Sequence, residues 1–425
     1  MGIQTLTDDD DTTKLQLNYF RIVHEQVENC TDFTALLYSR PMKKNIAIFC
    51  DYFLPGFRSG GLVRSVAAVI EALKNESCIT IITRNHDLGV KSPYKNITSD
   101  VITEAEGCRV LYLSDKKKLS GIFNILKKES PDVIYFNSFF SPFFTLLPLF
   151  LIKYIIKSKS KIIIAPRGEF GAGSLKIKNL KKKLFLALKK WVIPENSFLH
   201  ATSTGEKIDI QKIFDDQVRI ILLNDIAIHQ KERAIIHEKQ KGNVKIIFIS
   251  RITPIKNLDY ALKIASNITG PAQFDIFGPI EDSSHWQDCK EQIARMPKNI
   301  AVTYRGELNH SDVIDRLCEY DLFLLPTQNE NYGHAIVEAL SIGCPVMISK
   351  NTPWQHLSDY QAGWDFELSD PALFSDKINE LIPLDNLTYK TYQEGALNYF
   401  NQYINNENLV MQYKNYFIQT EAAHD

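Results

Sequence analysis

The chain has 425 residues, 44% hydrophobic and 23% charged, with a formal net charge of −1 at pH 7. That length exceeds one ordinary hydrophobic core and implies two domains with a cleft between them, where ligands usually sit. The composition excludes wholesale disorder, and the charge balance gives no support to a nucleic-acid binder.

Residues 1–43 show no convincing periodicity and precede the strand-like run KNIAIFC, so they read as an N-terminal extension. Their first stretch, MGIQTLTDDDDTTKLQ, is acidic and polar, the opposite of the basic-then-apolar start of a secretory leader, and export is not expected. From there apolar strand-like runs alternate with helical patterns: NIAIFC, GGLVRSVAAVIEAL, CITIITR, RVLYL, PDVIYFN, KIIIAPRG and SFLHATS. Such alternation predicts a parallel sheet covered on both faces. Within it, SFFSPFFTLLPLFLIKYIIK holds only about 15 uncharged residues before Lys153 where a membrane span needs about 20, so a buried helix is expected. The charged stretch HQKERAIIHEKQKGN, residues 229–243, offers no strong core-facing stripe and reads as a linker. After it the alternation restarts with VKIIFISR, LDYALKIASNI, AQFDIFG, AVTYRGEL, DVIDRLCEYDLFLLPT and HAIVEALSIGCPVMIS. The expected architecture is α/β: two doubly wound Rossmann-like domains with a crevice at their strand ends. The seven cysteines are scattered, odd in number and without a CxxC pair, as expected of buried thiols in a reducing compartment.

Three constellations carry chemistry. In FCDYFLPGFRSGGLVRSV, Gly60 and Gly61 open a helix directly after the first strand and its loop, a start able to face phosphate or sugar. It lacks the G-x-G-x-x-G spacing of dinucleotide dehydrogenases, which weighs against hydride transfer. In SRITPIKN, Arg251 and Lys256 flank a turn at the carboxyl end of a strand; a planar fork and a point charge aimed into the crevice make a clamp for a diphosphate. In NENYGHAIVEALSIGCPVMIS, Glu330 lies in a loop, Gly333 marks a close backbone approach at a helix start, and Glu338 stands less than two turns into that helix. The two carboxylates can address opposite ends of a ligand about one sugar long and are too far apart to share a proton. Gly343 and Pro345 supply the helix stop. Charged turns and glycine pairs are also common ordinary surface features, and it is the joint loop, glycine and stop signals that set the E-x7-E segment apart.

These residues resemble glycosyltransferase family four, the retaining enzymes of the GT-B fold, over nearly the whole chain after residue 43. GGLVRSV, PRGEF, the lysine-rich helix beyond it, HATSTGEKIDI, SRITPIKN, FDIFGP, YRGEL and the E-x7-E segment with its downstream GCPV stand in the family's order. The resemblance implies an acceptor domain at 44–228, a nucleotide-sugar domain at 244–395, and a last helix, 396–425, that crosses back to the first domain. It implies that Arg251 and Lys256 hold the donor diphosphate and stabilise it as leaving group, so that neither a metal nor a cofactor is required. Glu338 would accept hydrogen bonds from the ribose hydroxyls. Glu330 and the Gly333–His334–Ala335 backbone would hold sugar and phosphate. Gly60 and Gly61 would close over the donor, and Arg167 would face the acceptor. The partners implied are a nucleotide diphosphate sugar as donor and a glycan or lipid-linked acceptor of the kind used in surface polysaccharide synthesis.

The chain departs from the family pattern at two points. Asn137 stands at or near the place where many members carry a histidine, and an amide cannot titrate near neutrality. Asn224-Asp225 replaces the usual N-G, a departure that bears on domain hinging or acceptor contacts. The segment SLKIKNLKKKLFLALKKW carries lysines on one side and Leu, Phe and Trp on the other, a pattern that suits peripheral contact with an anionic inner-membrane leaflet from the cytoplasm or, equally, a solvated face over a buried stripe. Two competing functions share the architecture: a nucleotide-sugar epimerase, which needs no acceptor, and a degenerate transferase that only scaffolds polysaccharide assembly.

Overall fold

The computed structural model describes residues 43–171, 192–214, 218–227, 237–404 and 407–419. The lysine-rich segment 174–191 and the N-terminal extension up to residue 42 lie outside them, as do residues 228–236 of the linker region.

The first sheet is built from β1 (Lys44–Phe49), β2 (Ser77–Arg84), β3 (Ile102–Ala105), β4 (Cys108–Leu113), β5 (Val133–Phe136), β6 (Lys161–Ile164), β7 (Ser197–Ala201) and β8 (Arg219–Leu222). Their order across the sheet is β3-β4-β2-β1-β5-β6-β7-β8. β1 shows why both faces are covered. Ile46 and Ile48 enter the cluster under the Gly61–Leu73 helix, while Ala47 and Phe49 enter the cluster on the opposite face. Alternate side chains of one strand therefore feed two apolar layers, and the strand reads as a continuous apolar run. One pair departs from the expected parallel sheet: β3 runs antiparallel to β4, with Ala105 opposite Cys108 across the two-residue turn Glu106-Gly107. Both turn residues have positive φ, 53° and 74°, the geometry of a tight hairpin.

The second sheet runs β11-β10-β9-β12-β13-β14 and is parallel throughout. Its strands are β9 (Val244–Ile249), β10 (Ala272–Phe277), β11 (Ile300–Gly306), β12 (Leu322–Leu325), β13 (Val346–Ser349) and β14 (Gly363–Phe366). The helix Asn386–Tyr399 contributes Ala396 and Tyr399 to the second core. The helix Glu407–Ile418 instead places Tyr413 and Phe417 in the first core, and the Tyr413 hydroxyl donates to the Asn224 carbonyl at 3.1 Å.

Each sheet reverses its winding beside its first strand: β1 has β2 on one side and β5 on the other, and β9 has β10 on one side and β12 on the other. The loops leaving the carboxyl ends at such a point splay apart and leave a crevice, which is where ligands bind in doubly wound sheets.

Three expectations are modified. The apolar run at 138–157 forms consecutive helical turns from Pro142 to Ile156 that are buried on one face only. Phe144, Leu149 and Ile152 enter the core, whereas Phe143, Phe150, Tyr154 and Ile155 are exposed. Among the described residues no helix is long and apolar enough to cross a membrane. The second part of the charged linker stretch is seated rather than free: His237 Nε2 lies 2.7 Å from the Asp321 carboxylate, and the Lys239 side chain is buried. Finally, Cys50, Cys108, Cys289 and Cys344 are buried as expected, but Cys78 is exposed.

Candidate functional site

The wall from the second domain forms where β9 and β12 end. Beyond β9, Ser250 and Arg251 lead into a single turn of 3-10 helix, Pro254–Lys256, with proline at a position that needs no N–H donor. Asn257 follows in the left-handed region, φ 63°, and its amide donates 2.8 Å to the Pro326 carbonyl just after β12, fastening the turn to the neighbouring strand end. Gly278, at φ 136°, ends β10 so close to β9 that a Cβ there would lie 1.9 Å from the Ser250 carbonyl oxygen. Only glycine permits that approach.

Two cation–carboxylate pairs result. Lys256 Nζ lies 2.5 Å from Glu330 Oε2, with side-chain exposures of 12% and 17%. Arg251 Nη1 lies 2.8 Å from both Glu281 oxygens, and these side chains are 38% and 30% exposed. After Glu330 the chain turns through Gly333, φ 80°, whose carbonyl accepts from the Ile336 and Val337 amides and starts the helix His334–Ser341. A side chain at Gly333 would meet Ile336 and Glu330 at 2.8 and 3.1 Å. The helix stops as expected: Gly343 has φ 75°, and the Cys344 amide returns to the Ala339 carbonyl.

The first domain supplies the opposite wall. Gly60, φ 63°, precedes the Gly61–Leu73 helix. Gly61 faces His334 directly, since a Cβ on Gly61 would lie 3.1 Å from His334 Cδ2. One turn on, Arg64 Nη1 donates to Glu338 Oε2 at 2.5 Å, and Ser65 Oγ lies 3.0 Å from His334 Nε2. Ser65 also donates to Asp225 Oδ2 at 2.9 Å, so the imidazole Nε2 is the donor in its contact with Ser65.

Below this contact sits a buried polar network. The Arg167 guanidinium binds the Asp225 carboxylate, Asn137 Oδ1 at 2.7 Å and the Tyr135 hydroxyl at 2.8 Å. Asn137 donates in turn to the Leu62 carbonyl at 3.1 Å. Burial pushes the Asp225 carboxyl up, but Arg167, aided by His334 and His200, holds it below the ordinary range. His200 receives the Tyr135 hydroxyl at Nδ1 and donates from Nε2 to the Leu223 carbonyl; burial, with Arg167 nearby, lowers its pKa to about 4. Arg167 itself has φ 55°, a costly conformation for a residue with a side chain, held here by three partners.

The structure brings Gly60, Gly61, Asn137, Arg167, Arg251, Lys256, Glu330, Gly333, His334 and Ala335 to one cavity of about 520 Å³ between the two sheets. Glu338 is not among its lining residues; Arg64, which is, stands against it. Arg167 lines the cavity with its charge committed inward to Asp225, so it holds the wall together rather than presenting a free cation. Two buried hydroxyls of the lining, Ser59 Oγ and the Tyr332 phenol, have no hydrogen-bond partner among the described residues. The arrangement offers an anion two cations and the positive end of a helix, and offers hydroxyl groups several carboxylates and hydroxyls.

Arg64, Ser65 and Glu281 were not singled out as site residues by sequence, and Asp225 was noted there only as a departure from the usual N-G. Arg64 carried one usable signal: it stands three residues after Gly61, on the same face of a helix whose other side is Val and Ala.

The model of the family described as Glycosyl transferases group 1 matches residues 229–397. An uncharacterized 41.2 kDa protein of the cps region of Klebsiella pneumoniae is 25% identical over 242 residues, 53% of this chain and 62% of that protein. The 2-deoxystreptamine N-acetyl-D-glucosaminyltransferase of Niallia circulans is 28% identical over 115 residues, 26% of this chain and 28% of that enzyme. The matches thus span less than two thirds of either relative. Among solved structures, Anabaena HepE in complex with UDP-glucose superposes with a TM-score of 0.63 at 14% identity, covering 88% of this chain and 99% of that one. WaaG, a glycosyltransferase involved in lipopolysaccharide biosynthesis, superposes with a TM-score of 0.61 at 12% identity, covering 88% and 100%. The fold is therefore GT-B, and the group 1 glycosyl transferase match lies on its second half, residues 229–397.

Proposed function

We propose that the protein is a retaining glycosyltransferase of family four, which moves a sugar from a nucleotide diphosphate sugar to a hydroxyl of a glycan or lipid-linked acceptor. The observation that carries this reading is the convergence of Arg251, Lys256 and the amino end of the Gly333 helix on one cavity at the winding reversals of both sheets. A diphosphate seated there takes over the cations from Glu281 and Glu330, exchanging one carboxylate partner for phosphate oxygens. The bond from the anomeric carbon to the phosphate oxygen breaks through an oxocarbenium-like state, and the charge left on the diphosphate is neutralised by these side chains without calling on a metal. The acceptor hydroxyl bonds to the anomeric carbon on the same face, and its proton passes to the departing phosphate oxygen, so configuration is retained without an enzymic nucleophile. HepE was solved with UDP-glucose, which supports a sugar nucleotide as donor. The cps-region relative and WaaG support an acceptor in surface polysaccharide synthesis.

A peripheral membrane contact belongs to the same reading. Phe143, Phe150, Tyr154 and Ile155 form an exposed apolar strip beside the exposed Lys157, a combination suited to an anionic leaflet. Cosedimentation with vesicles containing anionic lipid is expected, and is expected to weaken when Phe150 and Ile155 are both changed to Ser.

The activity is tested by a thermal-shift screen of UDP, GDP, ADP and their sugars, followed by proton NMR of the product formed from the stabilising donor and a glycan acceptor. An axial anomeric donor yielding an axial linkage supports the proposal. Inversion, or conversion of the donor in the absence of acceptor, contradicts it.

A further inference from the structure

The first turns of two helices from different domains face each other across the cleft. Gly61, Arg64 and Ser65 share one face of the Gly61–Leu73 helix, being three and four residues apart, while His334 and Glu338 share one face of the His334–Ser341 helix. Gly61 lies against the His334 ring, Ser65 meets His334 Nε2 at 3.0 Å, and Arg64 meets Glu338 at 2.5 Å. Arg64 lines the cavity and Glu338 does not, and the pair is shielded, with side-chain exposures of 14% and 12%.

We propose that Arg64 competes with the donor's ribose for the Glu338 carboxylate, forming a cross-domain latch that sets how strongly the enzyme selects ribonucleotides. The inference rests on the glycosyltransferase reading, in which Glu338 is the acceptor of the ribose hydroxyls. A cis-diol engages both oxygens of a carboxylate, and Oε2 of Glu338 is held by Arg64. Donor binding must therefore loosen that contact, and part of the ribose interaction is offset by the ion pair it displaces. The same contact ties the two domains together, so ribose binding and opening of the latch are one event. Burial pushes the Glu338 carboxyl above its ordinary range, and Arg64 opposes that shift only in part. Breaking a shielded pair leaves Arg64 in the cavity, where the diphosphate is a new partner; a test must therefore separate the ribose term from the phosphate term.

The ratio of affinities for UDP and 2′-deoxy-UDP does so, because both ligands carry the same diphosphate; ADP and GDP pairs run alongside cover the other bases. Calorimetric titration of wild type, Arg64→Ala, Arg64→Lys and Arg58→Ala is the experiment. Arg58→Ala breaks a cross-domain pair, Arg58–Glu307 at 3.0 Å, that does not involve Glu338. The latch predicts that the ratio widens by about tenfold in Arg64→Ala, the value of one hydrogen bond to a charged group, widens less in Arg64→Lys, and stays at the wild-type value in Arg58→Ala. A ratio that is unchanged or narrower in Arg64→Ala, or that widens equally in Arg58→Ala, overturns it. Failure of the wild type to bind any of these nucleotides contradicts the glycosyltransferase reading itself, and the latch with it.

Discussion

Two arginines, one in each half of the molecule, stand just past the carboxyl end of an interior strand and on the wall of the same cavity. Arg167, after β6, is 5% exposed and is bound by Asp225, Asn137 and Tyr135. Arg251, after β9, is 38% exposed and held by the single carboxylate of Glu281. The first cannot turn its charge to a ligand without breaking a buried network, whereas the second exchanges one solvent-accessible partner for another. Residue type and strand position make a site residue eligible, and burial decides whether its charge works on the fold or on a ligand.

The contrast is broken or sharpened by substitution, and the largest effect belongs to the buried arginine. Arg167→Ala removes the guanidinium that balances the buried Asp225 carboxylate, leaving it Ser65 and the more distant His334, and is expected to cost about 3–5 kcal/mol of stability, read as a lowered denaturant midpoint. A loss no larger than that of an exposed pair would remove the distinction.

His200, joined to Arg167 through Tyr135, extends the comparison to pH. Folded His200 stays neutral down to about 4, while in the unfolded chain it takes a proton near its ordinary 6.5. Between those values the unfolded state binds more protons, so stability falls as pH falls through the window, by up to roughly 3 kcal/mol for this one group. Thermal unfolding from pH 7 to pH 4 should show this slope, and His200→Gln should flatten it.

Ser65→Ala removes the hydroxyl that joins Asp225 to His334 and is expected to cost about 1 kcal/mol, checked in the same denaturant titration. Smallest of all is Arg251→Ala, whose exposed pair contributes at most about 0.5 kcal/mol, so its melting temperature should match the wild type.

Much of this was legible in the sequence because it is local. The alternation of apolar runs with helical periods specified two doubly wound sheets, and GGL, PIK and NYGHAIVE placed the turn residues at strand ends, where the fold brings them to one cavity. The β3–β4 hairpin was missed because its turn uses Glu106-Gly107 in place of Asn-Gly or Asp-Gly, so the signal for positive φ at its first position was missing. The outward side of the 138–157 segment was missed because Phe and Tyr score as core whichever way they point. Pairings of Arg167 with Asp225 and of Arg64 with Glu338 join residues 58 and 274 positions apart, and no spacing rule reaches that far. Arg167 and Arg251 look alike in sequence for the same reason: their burial is set by elements the chain supplies much later or earlier.

In the proposed reaction Arg251 and Lys256 form the diphosphate clamp. Its most direct test is calorimetric titration of UDP, ADP and GDP into the wild type and into Arg251→Ala/Lys256→Ala. At least one nucleotide should bind the wild type and lose about a hundredfold in affinity in the double variant, with the tight state also weakened by added salt. Equal affinity in the two proteins, or no binding to the wild type, would contradict it.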